Sequence, residues 1–250
     1  MVASFTDVPY AMLKEMEQLD NVVIMFVEGI IDQWKKAFGF RNYQTLDQTV
    51  EKAMKEHGAE RVHLVGHSMG GLEAVAYALN NPDKVGEVVT VGTPYQGSIV
   101  APAGIFVMGL GVYAPTIWQI MPGSGYLQKL KKRMNSDIGV LEQEGVKITN
   151  VYSPFDELLP GSGGSLEGIM AKKSKAITEK QMSWGHMHLF FCDDTLYKIY
   201  DLERSRLPVV LIHGWAMNEN FFRRIRNARP EEMRKNLYTF TFDYTKSLKI

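Results

Sequence analysis

Apolar positions along the chain fall into two spacings. After Thr45, Leu46, Val50 and Met54 recur at the three-to-four-residue period of a helix with one buried face. Thr45 with Gln48 offers a capping box at its start, and His57-Gly58 ends it. The pattern then contracts to a continuous apolar run, Val62 to Val65, which reads as a buried strand. A glycine-flanked turn and an alanine-rich helix follow, and Asn81-Pro82 stops that helix. "KVGEVVTVGTP" and "GVKITNVYSPFDE" predict two more buried strands. Asp193 or Asp194 is placed to cap a helix with Leu196, Ile199 and Tyr200 on one face. Val209 to His213 is the next strand, with a broken helix around Phe221 to Met233 after it. In "LYTFTFDYT", Tyr238, Phe240 and Phe242 alternate with Thr239 and Thr241, the period of a strand. Strands alternating with helices predict an α/β fold, a mostly parallel sheet covered by helices on both faces.

Residues 1–43 read less sharply. Met12, Met16, Leu19, Val23, Phe26, Ile30, Trp34 and Phe38 form an amphipathic stripe that suits one long helix begun by Pro9. "VVIMFVEG" within it has a strand as its alternative.

Composition narrows the function without naming it. The chain has 250 residues, enough for one large α/β domain. Its 28 basic and 28 acidic side chains cancel, so no bulk field favours nucleic acid or an anionic surface. A single cysteine, Cys192, excludes an internal disulfide framework and suits a reducing compartment. The N-terminus lacks a basic segment followed by an apolar core. The expectation is a soluble protein, cytoplasmic rather than secreted. Residues 97–128 carry no charge at all, which is long enough to suggest a membrane span. Pro102, Pro115, Pro122 and several glycines argue instead for an apolar cover over a binding site.

The most informative hexapeptide is "GHSMGG", Gly66 to Gly71. It fits Gly-x-Ser-x-Gly, with an apolar strand just before it and a helix just after. A nucleophilic serine must stand clear of its own backbone on a sharp turn, and flanking glycines let that turn close. The N–H of the next residue, Met69, and the N-terminal end of the helix then face a developing oxyanion.

At this point the chain resembles a known family. "VHLVGHSMGGLEA" followed by "VVTVGTPYQGS" is similar to the bacterial lipase and esterase branch of the α/β-hydrolase fold, and "MPGSGYLQKL" resembles the phrase closing that branch's lid region. The resemblance covers roughly residues 45–250. It implies that residues 97–130 form an apolar lid, with Tyr95, Ile105, Phe106, Leu110 and Trp118 as candidates to line the acyl site. It also implies the order nucleophile, acid, base. "NVYSPFDELLP" then offers Asp156 as the acid, with Glu157, Asp193 and Asp194 as rivals. "GHMH" offers His186 as the base, with His188 two residues on. His57, His63 and His67 read as structural. Ser68, Asp156 and His186 would form the triad.

One donor is then lacking, because an oxyanion hole needs two N–H groups and Met69 supplies one. In the family the second comes from a loop after an early strand, written apolar-His-Gly. Here the good match is "VVLIHGW", whose donor would be Trp215. "IMFVEGI" is the weaker upstream match. The implied arrangement is a single domain in which residues 206–250, normally N-terminal, come last: a circular permutation. It places that block in the middle of the sheet, with Trp215 facing Ser68.

The function so implied is hydrolysis of carboxylic esters, by lipase or esterase action on a small-molecule or lipid ester. The lid would allow transient contact with a lipid surface. Acyltransferase or thioesterase activity, and a hydrolase-fold binding protein without chemistry, are the alternatives. No cofactor is implied. The histidines do not cluster with acids or Cys192 at ligand spacing, so no metal site is expected.

Overall fold

The computed structural model describes residues 45–99, 115–159, 161–214, 217, 219–227, 230–241 and 248–250. The predicted helix of residues 1–43 therefore lies outside the described residues, as do Ile105, Phe106, Leu110 and Trp215. Among the described residues a six-stranded sheet runs β4-β3-β2-β1-β5-β6, with every pairing parallel. Its strands are β1 (Val62–His67), β2 (Val85–Val91), β3 (Lys147–Tyr152), β4 (Ile177–Gln181), β5 (Val209–Ile212) and β6 (Leu237–Phe240). The helices are α1 (Leu46–His57), α2 (Met69–Asn80), α3 (Pro115–Gln119), α4 (Gly125–Gln143), α5 (His188–Phe191), α6 (Asp193–Arg204), α7 (Arg223–Asn227) and α8 (Glu231–Arg234). None of the described helices is long and apolar enough to cross a membrane.

Alternation along each strand sends side chains to two separate cores. On one face Leu64, Val88, Ile148, Val210 and Ile212 meet Val50 of α1, Leu72 and Val75 of α2, and Met134 of α4. On the other, Val65, Val89, Val151, Val209 and Leu211 meet Phe190, Ile199, Leu202, Phe221 and Phe222. Complete burial of each such side chain is worth about 1.5–3 kcal/mol. This is why β1 and β2 are rich in apolar residues on both faces and β5 reads as a continuous apolar run. The capping box at α1 forms as expected: Thr45 N–H donates to Gln48 Oε1 at 2.8 Å, and Gln48 N–H to Thr45 Oγ1 at 3.1 Å.

Three expectations need correction. First, β4 is a strand that the apolar pattern does not announce. "ITEKQ" is polar because it lies at the sheet edge with its side chains largely exposed. Second, neither Asp193 nor Asp194 caps α6. Cys192 holds the cap position without a side-chain capping bond to the helix, and both acids stand in the first turn, where Asp194 pairs with Lys180. The buried face of α6 is Thr195, Ile199, Leu202 and Glu203, and Tyr200 is exposed. Third, only half of the 206–250 block is interior: β5 lies between β1 and β6, and β6 is the edge among the described residues.

At the opposite end of β1 from the glycine turn, His63 is buried beside Glu87, with its Nε2 2.8 Å from Ser205 Oγ. Burial lowers its pKa from 6.5 to about 4, against the opposing pull of Glu87 and with some help from Lys198. The unfolded chain takes up a proton below pH 6.5 that the folded chain refuses until about pH 4, so stability falls as pH drops through that window. The loss approaches about 3 kcal/mol at about 1.4 kcal/mol per unit. Glu73, raised by burial from 4.5 to about 7, acts in the opposite sense over nearly the same range. A wild-type curve alone therefore hides the effect. Urea denaturation at pH 7 and pH 4.5 should show that His63→Asn loses clearly less stability on acidification than the wild-type chain.

Candidate active site

All five loops that matter leave the C-terminal ends of parallel strands, where open α/β sheets place their sites. β1 ends at His67, and Ser68 follows with φ 53° and ψ −128°. That is a strained conformation for a residue with a side chain, at about 1–3 kcal/mol. The neighbours explain how the turn closes. A Cβ on Gly66 would lie 2.4 Å from Gly70 O, and one on Gly71 would lie 1.9 Å from Thr93 Oγ1. A Cβ on Gly70 would meet Ile212 O at 2.3 Å and His213 O at 2.6 Å, so the first turn of α2 is pressed onto the end of β5. The same loop reaches the serine, because a Cβ on Gly214 would stand 2.8 Å from Ser68 Cβ.

The predicted acid and base meet. His186 Nδ1 and Asp156 Oδ2 are 2.7 Å apart, with side chains only 3% and 1% exposed. Asp156 Oδ1 accepts the N–H groups of Leu158 at 2.9 Å and Leu159 at 3.0 Å, so both carboxylate oxygens are used. Gly92, at φ 55° just after β2, leaves room for the imidazole: a Cβ there would lie 3.2 Å from His186 Nδ1. Ser68 N–H donates to Val91 O at 2.8 Å, joining the serine turn to the strand end beside Gly92. Ser68 Oγ and His186 Nε2 are not hydrogen-bonded in this structure.

The other candidates sort themselves. Met69 is fully buried at the N-terminus of α2. Tyr95 lies in the core and donates its hydroxyl to Thr90 Oγ1 at 3.0 Å, so it faces the sheet interior rather than open space. Trp118 is 57% exposed on α3, and Trp184 and Phe155, on the loops of His186 and Asp156, are 46% and 68% exposed. His67 is wholly buried against Phe190, Phe221 and His186. Burial first, and the neighbouring His186 second, hold its pKa well below the ordinary imidazole range. A neutral His67 spares the site a second cation. Glu157, which the sequence offers only as a rival acid, accepts the backbone N–H of His186 at 2.9 Å. Its adjacency to Asp156 is the signal that could have found it. Among the described residues no group of three or more His, Cys, Asp or Glu is placed to hold a metal.

Residues 29–108 match the profile of the family described as the alpha/beta hydrolase fold. With the parallel sheet and the strained serine turn in place, that decides the architecture. The chain has the α/β-hydrolase fold. Relatives match it over short stretches. A 2-hydroxy-6-oxononadienedioate/2-hydroxy-6-oxononatrienedioate hydrolase of Cupriavidus pinatubonensis is 45% identical over 56 residues, 22% of this chain and 19% of that protein. A triacylglycerol lipase of Pseudarthrobacter phenanthrenivorans is 43% identical over 49 residues, 20% of this chain and 15% of that one. The chain thus spans about a fifth or less of the length of these relatives. Among solved structures, the monoacylglycerol lipase of Paleococcus ferrophilus aligns at 17% identity and a TM-score of 0.41, over 66% of this chain and 77% of that one.

The glycine contacts of this hydrolase fold make a sharp contrast. Gly70→Ala should destabilise the chain by at least about 2 kcal/mol, because the obstructing atoms are backbone oxygens that cannot swing away. Gly139→Ala, on α4 with nothing within 4 Å of the new methyl, should stabilise it by about 0.5–1 kcal/mol. Urea denaturation of the two variants beside the wild-type chain measures both.

Proposed function

We propose that the chain is a serine hydrolase that cleaves carboxylic esters through an acyl-enzyme. The observation that carries this reading is the buried His186–Asp156 pair at 2.7 Å, on loops that leave the same end of the sheet as a serine in a strained strand-to-helix turn. In the scheme, His186 Nε2 takes the Ser68 proton as Oγ attacks the ester carbonyl. Asp156 holds the Nδ1–H tautomer and stabilises the imidazolium that forms. The tetrahedral oxyanion is met by the Met69 N–H and the positive end of α2. His186 then returns the proton to the departing alcohol, and a water repeats the sequence to release the acid. Free enzymes commonly hold the Ser–His contact long and tighten it when substrate binds.

The second oxyanion donor is assigned to Trp215, and such a donor is worth about 3 kcal/mol. The close approach of Gly214 to Ser68 supports this assignment, since Trp215 is the next residue. The position of β5 beside β1 supports the circularly permuted reading as well, with the 206–250 block completing the site. An apolar acyl substrate is favoured by the uncharged stretch 97–128 and by the exposed rings of Trp118, Phe155 and Trp184.

A second reading has its own observation. The relative from Cupriavidus is named as a hydrolase of 2-hydroxy-6-oxononadienedioate, and it is 45% identical across its matched stretch. Acyl transfer to another acceptor and thioester cleavage would use the same triad.

Two experiments test this. A fluorophosphonate should label the wild-type chain, and Ser68→Ala should abolish both labelling and turnover of p-nitrophenyl esters of several chain lengths. Folded protein that takes no label would overturn the enzyme reading, and turnover of 2-hydroxy-6-oxo-dienoates without ester turnover would favour the second one. Truncation after Leu207 removes β5 and β6 and should abolish cooperative folding. A truncated chain that folds and cleaves esters normally would sink the permuted reading.

A further inference from the structure

His186 is held by more than its acid. The loop that carries it runs from β4 to α5, a helix of only four residues. β4 is an edge strand with mostly exposed side chains, so packing from that side does little to fix the loop. The hydrogen bond to Asp156 and the packing against His67 and Gly92 restrain the imidazole ring, but neither holds the main chain of His186 directly. Asp156 cannot also hold the backbone, because its other oxygen is taken by the N–H groups of Leu158 and Leu159.

Two groups outside the acyl-transfer scheme supply the missing restraints. The carboxylate of Glu157 reaches across to the next loop and accepts the His186 N–H at 2.9 Å. On the other side of the same residue, His67 Nε2 lies 3.3 Å from the His186 carbonyl oxygen. Because a carbonyl can only accept, His67 must carry its proton on Nε2, which suits an imidazole kept neutral by burial. Gly185 belongs to the same device. A Cβ at this position would stand 2.7 Å from Glu157 Oε2, so a side chain here would push the carboxylate away from the next N–H.

We propose that the main chain of His186 is clamped at both ends, its N–H by Glu157 and its C=O by His67, and that both are positioning residues for the reaction. Asp156 then sets the direction of the imidazole, and the clamp sets where its Cα stands. The inference rests on the reading of His186 as the general base. It assigns Glu157 and His67 roles beyond those of a rival acid and a packing residue.

The test uses the full chain with p-nitrophenyl ester turnover. Glu157→Ala should lower kcat by about 10–100-fold, the scale of a small misplacement of a reacting group. KM should stay within about twofold and the melting temperature within a few degrees, because Glu157 lies at the surface. Glu157→Gln keeps an oxygen acceptor and should recover most of the rate. Gly185→Ala should slow the wild-type chain but add nothing to Glu157→Ala, because both remove the same contact. His67→Phe keeps the ring packing against Phe190 and Phe221, loses the donor, and should lower kcat in the same way. The clamp is refuted if Glu157→Ala keeps full kcat, if Glu157→Gln is no better than Ala, or if the Gly185 and Glu157 losses multiply. Full activity in His67→Phe refutes its carbonyl half. Amide hydrogen exchange separates this from the parent reading: Glu157→Ala should speed exchange at the His186 N–H whether or not the chain cleaves esters. Turnover that survives Ser68→Ala would instead remove the serine-hydrolase reading.

Discussion

The turn at Ser68 sets the terms for everything around it. A serine at φ 53° is tolerated only when the surroundings over-determine it, and here the restraint comes from backbone touching backbone together with the Thr93 side chain. Gly66 lies against Gly70, Gly70 against the carbonyls of Ile212 and His213, and Gly71 against Thr93. None of these contacts has room for a methyl group. The elbow is thus a junction of β1, α2, β5 and the loop after β2 rather than a local feature of one hexapeptide. The first turn of α2 is packed directly against the end of β5, which lies beside β1. A segment late in the chain therefore packs against a serine turn far earlier in it.

Electrostatics impose a second condition. Asp156 and His186 are almost completely buried, and a carboxylate in that position is tolerable only if its lone pairs are used. They are used, by one imidazole N–H and two backbone N–H groups. The ring beside them, His67, is kept neutral by burial and by His186 itself, so a charge appearing on His186 would meet no opposing cation there. The same logic runs through the sheet behind the site. Tyr95 donates to Thr90, Thr90 to Asn150, and Asn150 to Glu179 and to Gly164 O. This chain of polar groups crosses three strands, and each member named in it has a partner. It holds the Thr93–Gly97 turn, whose Thr93 meets Gly71 beside Ser68, without leaving a charge unpaired in this network.

How much of this could be read from the sequence follows from where each signal is stored. β1, the serine turn and α2 are legible because burial on both sheet faces forces an apolar run and the elbow forces glycines. Asp156 is legible from its place on a loop after a strand and His186 from its place on a loop before the last helix, both with the help of family resemblance. β4 is not, because an edge strand with exposed side chains carries no apolar alternation. On α6 the apolar period finds Leu196 and Ile199 but passes over Thr195 and Glu203, which are buried polar residues. Glu157 carries its weight through a contact with a backbone N–H, and such contacts leave no trace in residue patterns except the adjacency of two acids. Gly185 looks like ordinary loop glycine until the carboxylate beside it is seen.

The arrangement also separates two kinds of control over the histidine. Direction is set by side chains, through Asp156 and the space left by Gly92. Location is set by the main chain, through the ends of β4 and α5 and the contacts at Glu157 and His67. The edge strand β4 gives the start of this loop little packing, so hydrogen bonds to the His186 main chain add to the burial of its ring. The serine is placed by steric contacts that admit no adjustment, whereas the histidine is placed by polar contacts that do. That asymmetry suits the chemistry proposed for them. The nucleophile must stay fixed while the imidazole, shifting a proton between two oxygens, needs a small range of motion about a fixed anchor.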